Sequence, residues 1–349
     1  MNMKNLILLP LLLFLPAPLP AVDLYTATVP VADESPEARS GAMQGALRQV
    51  LEKVSGQRIP AEKLDGVLRK AEDQVQEFRY QLGPATDAAG EPLKQLWVRF
   101  DRNTIARILR RVGMSAWEGG RPELILWLAV DDGQRRLADP EQDASLLEVA
   151  RREAEKRGFT LVVPLMDLQD RNSLAAADLW MGNVQGIQRA SARYGQAVPL
   201  AGRLYRRGDR WKGEWSLLLP DAERQFDRSA TTPEGAIQRA LRRAGELLAK
   251  QYAPAAPANG ASVVDLRFLG VEDLSRFAWL QRRLESLDGV SLVTPLMLEE
   301  DQLVFRVRIR GGRTALQNQL SLEPALVPAV DIPEGGGDSA AVSLSYSVR

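Results

Sequence analysis

Two hydrophobic periods alternate along this chain. "VDLYTATVPVAD" (22–33) has Tyr25, Ala27, Val29 and Val31 alternating with Thr26, Thr28 and Pro30, which predicts a half-buried strand. The next stretch, "PEARSGAMQGALRQVLEKVSG" (36–56), changes to helical spacing at Met43, Leu47, Val50, Leu51 and Val54. Ser35 is a suitable N-cap, Pro36 fits the first helical position, Glu37 suits the positive helix end, and Gly56 stops the helix.

Two features of this helix stand out. Arg39 projects on the buried side, close to Met43, where it either snorkels over the core rim or forms a buried ion pair with Asp23 or Asp33. Gly41 and Gly45 lie opposite Leu47. A mid-helix Gly costs about 1 kcal/mol relative to Ala, so the pair is either merely tolerated or marks close approach of a second element, such as a neighbouring domain.

The remaining pattern divides into modules. In the first, a second helix is predicted at about 61–79, then a strand at "KQLWVRFD" with Leu96, Val98 and Phe100 on one face, then a capped helix with Ile105, Ile108, Leu109 and Val112. The second opens on the continuously apolar strand Leu124–Val130, followed by a helix from Ser145 to Arg157 and a strand in "FTLVVPLMDL", a right-handed β-α-β unit. A helix at about 183–194 leads into "AVPLAGRLYRRGDRWKGEWSLLLP", a hairpin turning at Gly208-Asp209. A long helix capped by Thr232 closes the module.

"PAAPANGA" (254–261) is a linker. After it, strands at "SVVDLRFLG", "VSLVTPLML" and "DQLVFRVRIRG" with one helix predict a β-α-β-β sandwich, ferredoxin-like or related. A Gly-rich tail precedes a last strand with Val342, Leu344, Tyr346 and Val348. The fold class is thus α/β and α+β, with three small mixed modules in series: 22–118, 119–253 and 262–330, with a flexible tail at 331–349.

The first 21 residues, "MNMKNLILLPLLLFLPAPLPA", have the form of a secretory signal peptide: Lys4, an apolar core from Leu6 to Leu15, and an exit at Ala21, where cleavage is expected. The apolar run is about ten residues, against roughly 20 for a span. No later stretch is long and apolar enough to cross a membrane, so no integral segment is expected after cleavage. These features place the mature chain in a bacterial periplasm.

Composition narrows the chemistry. Lys+Arg and Asp+Glu are 45 each, which gives no reason to expect nucleic acid or anionic lipid as a partner. The chain has no His and no Cys. That removes Ser-His-Asp and Cys-His nucleophiles, disulfides and the usual zinc, copper, haem and iron–sulfur ligand sets. No dinucleotide, P-loop or nucleophile-elbow motif is present. No cofactor is expected.

What survives is paired carboxylates, a Ser-Lys dyad, or hard-metal sites made of carboxylates. The acidic clusters are Asp131-Asp132, Glu299 to Asp301, and the stretch around Asp221 and Glu223. Each sits at a turn, where acids are ordinarily solvated. Asp131 and Asp132 are the most promising pair, because they end a strong strand, where α/β sheets place ligands.

The opening segment "YTATVPVADESPEARSGAMQGALRQVLEKVSGQR" resembles a family of exported bacterial proteins classed as a domain of unknown function, through Val29-Pro30-Val31, Arg39, Ala42, Ala46-Leu47, Val50-Leu51 and Val54-Ser55-Gly56. The likeness continues through "ARYGQAVPLAGRLYR", "WKGEWSL" and "GVSLVTPLML" and implies no activity, cofactor or catalytic residue. A second likeness is architectural: Tyr194-Gly195, Leu200 and Gly202 sit as in outer-membrane-associated assembly factors, among them the flagellar T-ring assembly protein and the N-terminal domain of the Tol translocation protein.

The expectation is a non-enzymatic interaction or assembly protein of the cell envelope, whose partners are other envelope proteins. Its contact surfaces would be sheet edges and the stretch with Trp211 and Trp215, although two tryptophans four apart on a strand also share a core face. Two alternatives stand beside it. A closed apolar pocket between the first two units would mark a small-ligand-binding protein. A cleft with two converging acids would mark a hydrolase acting on envelope glycan.

Overall fold

The computed structural model describes residues 22–86, 90–253, 262–299, 302–310, 312–329 and 344–348. The leader, the 254–261 linker and most of the acidic stretch Glu299 to Asp301 lie outside the described residues or their side chains. Three sheets, one antiparallel and two mixed, each with its own helices, give the α/β and α+β class.

The first sheet has the order β1-β3-β2, all antiparallel: β1 (Thr26–Pro30), β2 (Val75–Thr86) and β3 (Pro92–Phe100). One face is covered by α1 (Pro36–Ser55), α2 (Ala61–Leu68) and α3 (Arg102–Arg111). Helix α1 follows its sequence signals. Ser35 Oγ accepts from the Ala38 amide, Pro36 starts the helix, and Gly56 ends it in the left-handed region at φ 69°. Ala27, Leu47, Leu51, Leu96, Val98 and Phe100 meet in its core.

The predicted helix at 61–79 is shorter than expected. It stops at Leu68, a single 3-10 turn spans Glu72–Gln74, and Val75 begins β2. Gln, Glu and Lys around 70–77 mimic a solvated helix, but pairing of Phe78 with Val98 and Tyr80 with Leu96 outweighs local propensity.

The middle sheet is built on β4 (Leu124–Asp131). It runs parallel to β7 (Val198–Arg207) on one side. On the other it pairs with β5 (Arg135–Leu137) and, in parallel, with the two-residue β6 (Leu161–Val162). β8 (Arg210–Leu218) and β9 (Glu223–Ala230) extend the sheet antiparallel. Sequence pattern did not reveal β9, because "ERQFDRSA" carries charges where an edge strand meets water.

Helices α4 (Ala144–Lys156) and α8 (Pro233–Tyr252) seal one face of this sheet. Three short helices, α5 (Leu168–Ser173), α6 (Ala176–Met181) and α7 (Val184–Ser191), cover part of the other. The single helix predicted at about 183–194 is α7 plus a 3-10 turn at Ala192–Tyr194. Tyr194 donates to the fully buried Asp170 (2.5 Å) and accepts from the Leu165 amide (2.9 Å), which ties α5 to that turn. Gly195 follows at φ 76°.

The third sheet has the order β11-β12-β10-β14-β13. Its elements are β10 (Ser262–Leu269), α9 (Leu274–Glu285), β11 (Val290–Glu299), β12 (Gln302–Ile309), α10 (Gly312–Leu320), β13 (Leu326–Pro328) and β14 (Leu344–Val348). Both helices pack on one face. The β-α-β-β expectation therefore undercounts this module. The expected last strand is present at Leu344–Val348, Val342 lying outside the described residues, and it pairs parallel with β10 and antiparallel with β13, which sets it inside the sheet. A short strand whose partners are distant in sequence leaves no local sign of where it docks.

Candidate binding groove

The connector after α3 ties the modules together. The Trp117 amide donates to the Val54 carbonyl (2.8 Å), and its indole packs edge-on against Phe159 (5.7 Å). A Cβ on Gly56 would come within 2.6 Å of that indole, so Gly56 serves both the helix stop and the passage of Trp117. The guanidinium of Arg121 lies over Trp117 (4.5 Å) and donates to the carbonyls of Lys53 (2.7 Å), Val54 (3.0 Å), Arg157 (3.3 Å) and Gly158 (3.2 Å). Those carbonyls belong to the C-terminal ends of α1 and α4, where a cation is favoured. Burial lowers the Arg121 pKa to about 10, which leaves it charged at neutral pH.

The third module reaches the same connector. The Asp288 carboxylate accepts from the Gly119 amide (2.6 Å), while Gln319 braces the Asp288 backbone from both sides (2.8 and 3.0 Å). Burial raises the Asp288 pKa to about 6.

The groove itself belongs to the middle sheet and arises from strand alternation. On β7 and β8, Leu200, Leu204, Trp215 and Leu217 enter the core under α8. The residues between them face the opposite way. There, α5 to α7 cover β4 and β7 through Ile125, Trp127, Ala201, Leu179 and Ile187. On β8 and β9 only Leu218, at the end of β8, joins that apolar cluster among the described residues. The outward positions of these two strands form three rungs with β7: Ala201–Ser216–Gln225, Arg203–Glu214–Asp227 and Tyr205–Lys212–Ser229. The result is a groove of about 600 Å³, with a polar strand floor and a wall made by Leu179, Trp180 and Met181.

Glu214 organises the floor. It accepts from Arg203 Nε (2.6 Å), Tyr205 Oη (2.9 Å) and Lys212 Nζ (2.8 Å). The Lys212 hydrogen bond leads in lowering its pKa to about 2, with Tyr205 and Arg203 adding to it. Such a carboxylate is ionised at any physiological pH and is no general acid. Arg203 also donates to the Trp180 carbonyl, which joins floor to wall. Gly182 ends α6 at φ 69°, and Asn183 caps α7 through the Gly186 amide (3.0 Å), so the wall has a defined end.

The residues singled out from sequence fall in different places. Asp131 accepts from Arg135 (3.1 Å) and Asp132 from Arg136 (3.3 Å), so both are turn carboxylates in the β4–β5 hairpin. Asp131 nonetheless stands one step behind the groove, because Arg135 lies over the Trp180 ring (4.9 Å). Asp221 and Glu223 are exposed, with Glu223 at the groove rim.

Trp215 is buried in the core, and Trp211, on the same face of β8, is half-buried against that core, as two tryptophans four apart on a strand would be. The Trp215 ring lies across Gly202, where a Cβ would come within 2.2 Å of it. Arg39 makes no ion pair with Asp23 or Asp33; it is half-buried, with its guanidinium 5.9 Å from the Phe78 ring centre. Gly41 and Gly45 are exposed, and a Cβ on either meets nothing within 4 Å, which overturns the close-approach reading. The back of α1 faces water, not a second element.

The space between the first two modules is open and polar rather than a closed apolar pocket. About 290 Å³ is lined by Thr28, Gln95 and Trp97 on the uncovered sheet face and by Arg152 and Lys156 of α4. Arg79 lies over the Trp97 ring at 4.2 Å and Arg99 at 5.0 Å.

Sequence reading missed Arg203, Tyr205, Lys212, Glu214 and Trp180. The signal was present in the hairpin: "AGRLYR" and "WKGEW" alternate core residues with Arg, Tyr, Lys and Glu; of the second set Arg203, Lys212 and Glu214 line the groove and Tyr205 supports Glu214.

Among the described residues no group of three or more acidic side chains is arranged to hold a metal ion, and no helix is long and apolar enough to cross a membrane. Residues 20–118 match the family described as a domain of unknown function (DUF8605). That match spans the first module and stops at the connector. No curated protein and no solved structure matches the chain.

Proposed function

We propose that this is an exported, non-catalytic protein of the bacterial cell envelope that holds or assembles other envelope components. The observation that carries the reading is the connector. Arg121 gathers carbonyls from α1 and α4, and Asp288 fastens the third module to the same segment. Three sheets are thereby kept in a set relation while each leaves part of a face uncovered, an arrangement suited to bringing several components together. The leader-like first 21 residues and the absence of His and Cys from the chain support the envelope setting and the non-catalytic role. A carboxylate hydrolase is less well supported, because the groove's central acid is saturated with donors and held ionised.

Photo-crosslinking in living cells tests this. A reactive residue placed at exposed Leu82 in the first module and at exposed Leu292 in the third is expected to capture the same envelope complex. Arg121→Ala should break that coincidence while each module stays folded. Capture of unrelated proteins at the two positions, or turnover of envelope glycan by the purified chain, would contradict the reading.

A further inference from the structure

We propose that the groove between α6 and the β7–β8–β9 floor is a saccharide-binding site, for a chain of neutral or N-acetylated sugar rings. The inference is independent of protein assembly and concerns a ligand.

The chemistry of the lining selects the class. One side is apolar, with Trp180 flanked by Leu179 and Met181, the latter 75% exposed. The floor mixes donors and acceptors. Arg203 and Lys212 are fixed by Glu214 and keep N–H groups beyond those it takes. Ser216 and Asp227 make no side-chain hydrogen bond or ion pair with other described residues, and Gln225 bonds only the rim residue Glu223 (2.8 Å). Free hydroxyl, carboxylate and amide groups therefore line the same groove as an indole, which Arg135 (4.9 Å) and Tyr205 (6.4 Å) flank.

A sugar ring matches this arrangement: its C–H faces pack on an aromatic surface, and its hydroxyls both donate and accept. A polyanion does not match, because Glu214, Glu223 and Asp227 offset the two cations. An acyl chain does not match, because the strand floor is polar on every rung. The volume of about 600 Å³ lies within the range of ligand clefts, roughly 300–1,000 Å³. Successive rungs are two residues apart, about 6.8 Å, so contacts repeat along the groove as units repeat along a glycan.

The site is built before any ligand arrives. Glu214 locks Arg203, Arg203 holds the Trp180 carbonyl, and Arg135, positioned by Asp131, lies over the Trp180 ring. Affinity gains from such preorganisation because less side-chain motion is lost on binding.

Isothermal titration of the full chain with chitotetraose and with maltotetraose tests the proposal. Saturable binding of chitotetraose is expected, pointing to an amino-sugar glycan; binding of maltotetraose alone would support the site with a plain glucan as its source. Trp180→Ala should weaken binding at least about tenfold. Ser216→Phe, which fills the floor and leaves the wall intact, should do the same, while Trp97→Ala on the first module should change nothing. Absence of saturable binding by both saccharides, or affinity unaltered in Trp180→Ala and Ser216→Phe with native circular dichroism, would overturn the proposal.

Discussion

On one face of the β7–β8 hairpin, Leu200, Leu204, Trp215 and Leu217 are packed beneath α8; on the other, Arg203, Lys212 and Glu214 stand in an open groove, with Tyr205 behind them donating to Glu214. The two faces come from the same strands, one residue out of phase. The core face is held by shape: Trp215 fits because neither Gly202 nor Gly213 has a side chain. The groove face is held by charge: Glu214 keeps two cations and a phenol in place. Burial decides the difference. Where α8 excludes water, packing sets the cost of a change; where water remains, hydrogen bonds fix geometry more than they add stability.

Disturbing the shape-held face should have the largest effect. Gly202→Val places atoms inside the Trp215 ring and is expected to destabilise the protein by about 3 kcal/mol, read as a lowered urea midpoint. Disturbing the charge-held face should matter less to folding. Glu214→Gln is expected to lower stability by about 1 kcal/mol while loosening Arg203 and Lys212, read as new line broadening of their side-chain NMR signals. The Glu214 pKa lies below its usual 4.5, at about 2. Its contribution is therefore complete above about pH 4.5 and is lost as pH falls toward 2. Acid titration of Glu214→Gln should lack that component.

The junction gives the opposite sign, which sharpens the contrast. Burial raises the Asp288 pKa from 3.8 to about 6, so its contribution is fully present below pH 3.8 and is lost as pH rises through 6. Glu118 works in the same direction and Arg121 against it. Proteolysis of the connector should be slower at pH 5 than at pH 7.5, and Asp288→Asn should be resistant at both. The smallest effect belongs to the exposed back of α1. Gly45→Ala should stabilise by about 0.4–1 kcal/mol in thermal melts, since the added methyl touches nothing and only helix propensity changes.

These same positions explain what was legible in the amino-acid sequence. The ends of α1 were readable because Ser35, Pro36 and Gly56 act on their own neighbours. The hairpin was readable because alternation and Gly208-Asp209 are local. Gly45 and Gly202 look alike as letters, yet one faces water and the other lies under an indole from the next strand; only pairing distinguishes them. Strand β9 and the position of β14 were missed for the same reason, because their partners decide their conformation. The groove was hidden most fully. It takes Trp180 from a six-residue helix, Arg203 and Glu214 from the hairpin, and Asp227 from an edge strand that reads as a polar turn.

Hydrogen–deuterium exchange of the full chain with and without chitotetraose tests the division between the two hairpin faces most directly. Slower exchange is expected in segments 179–184, 203–205, 212–216 and 225–227, with α1 and the third module unchanged. Unaltered exchange in those segments at saturating saccharide, or protection confined to another module, would contradict it.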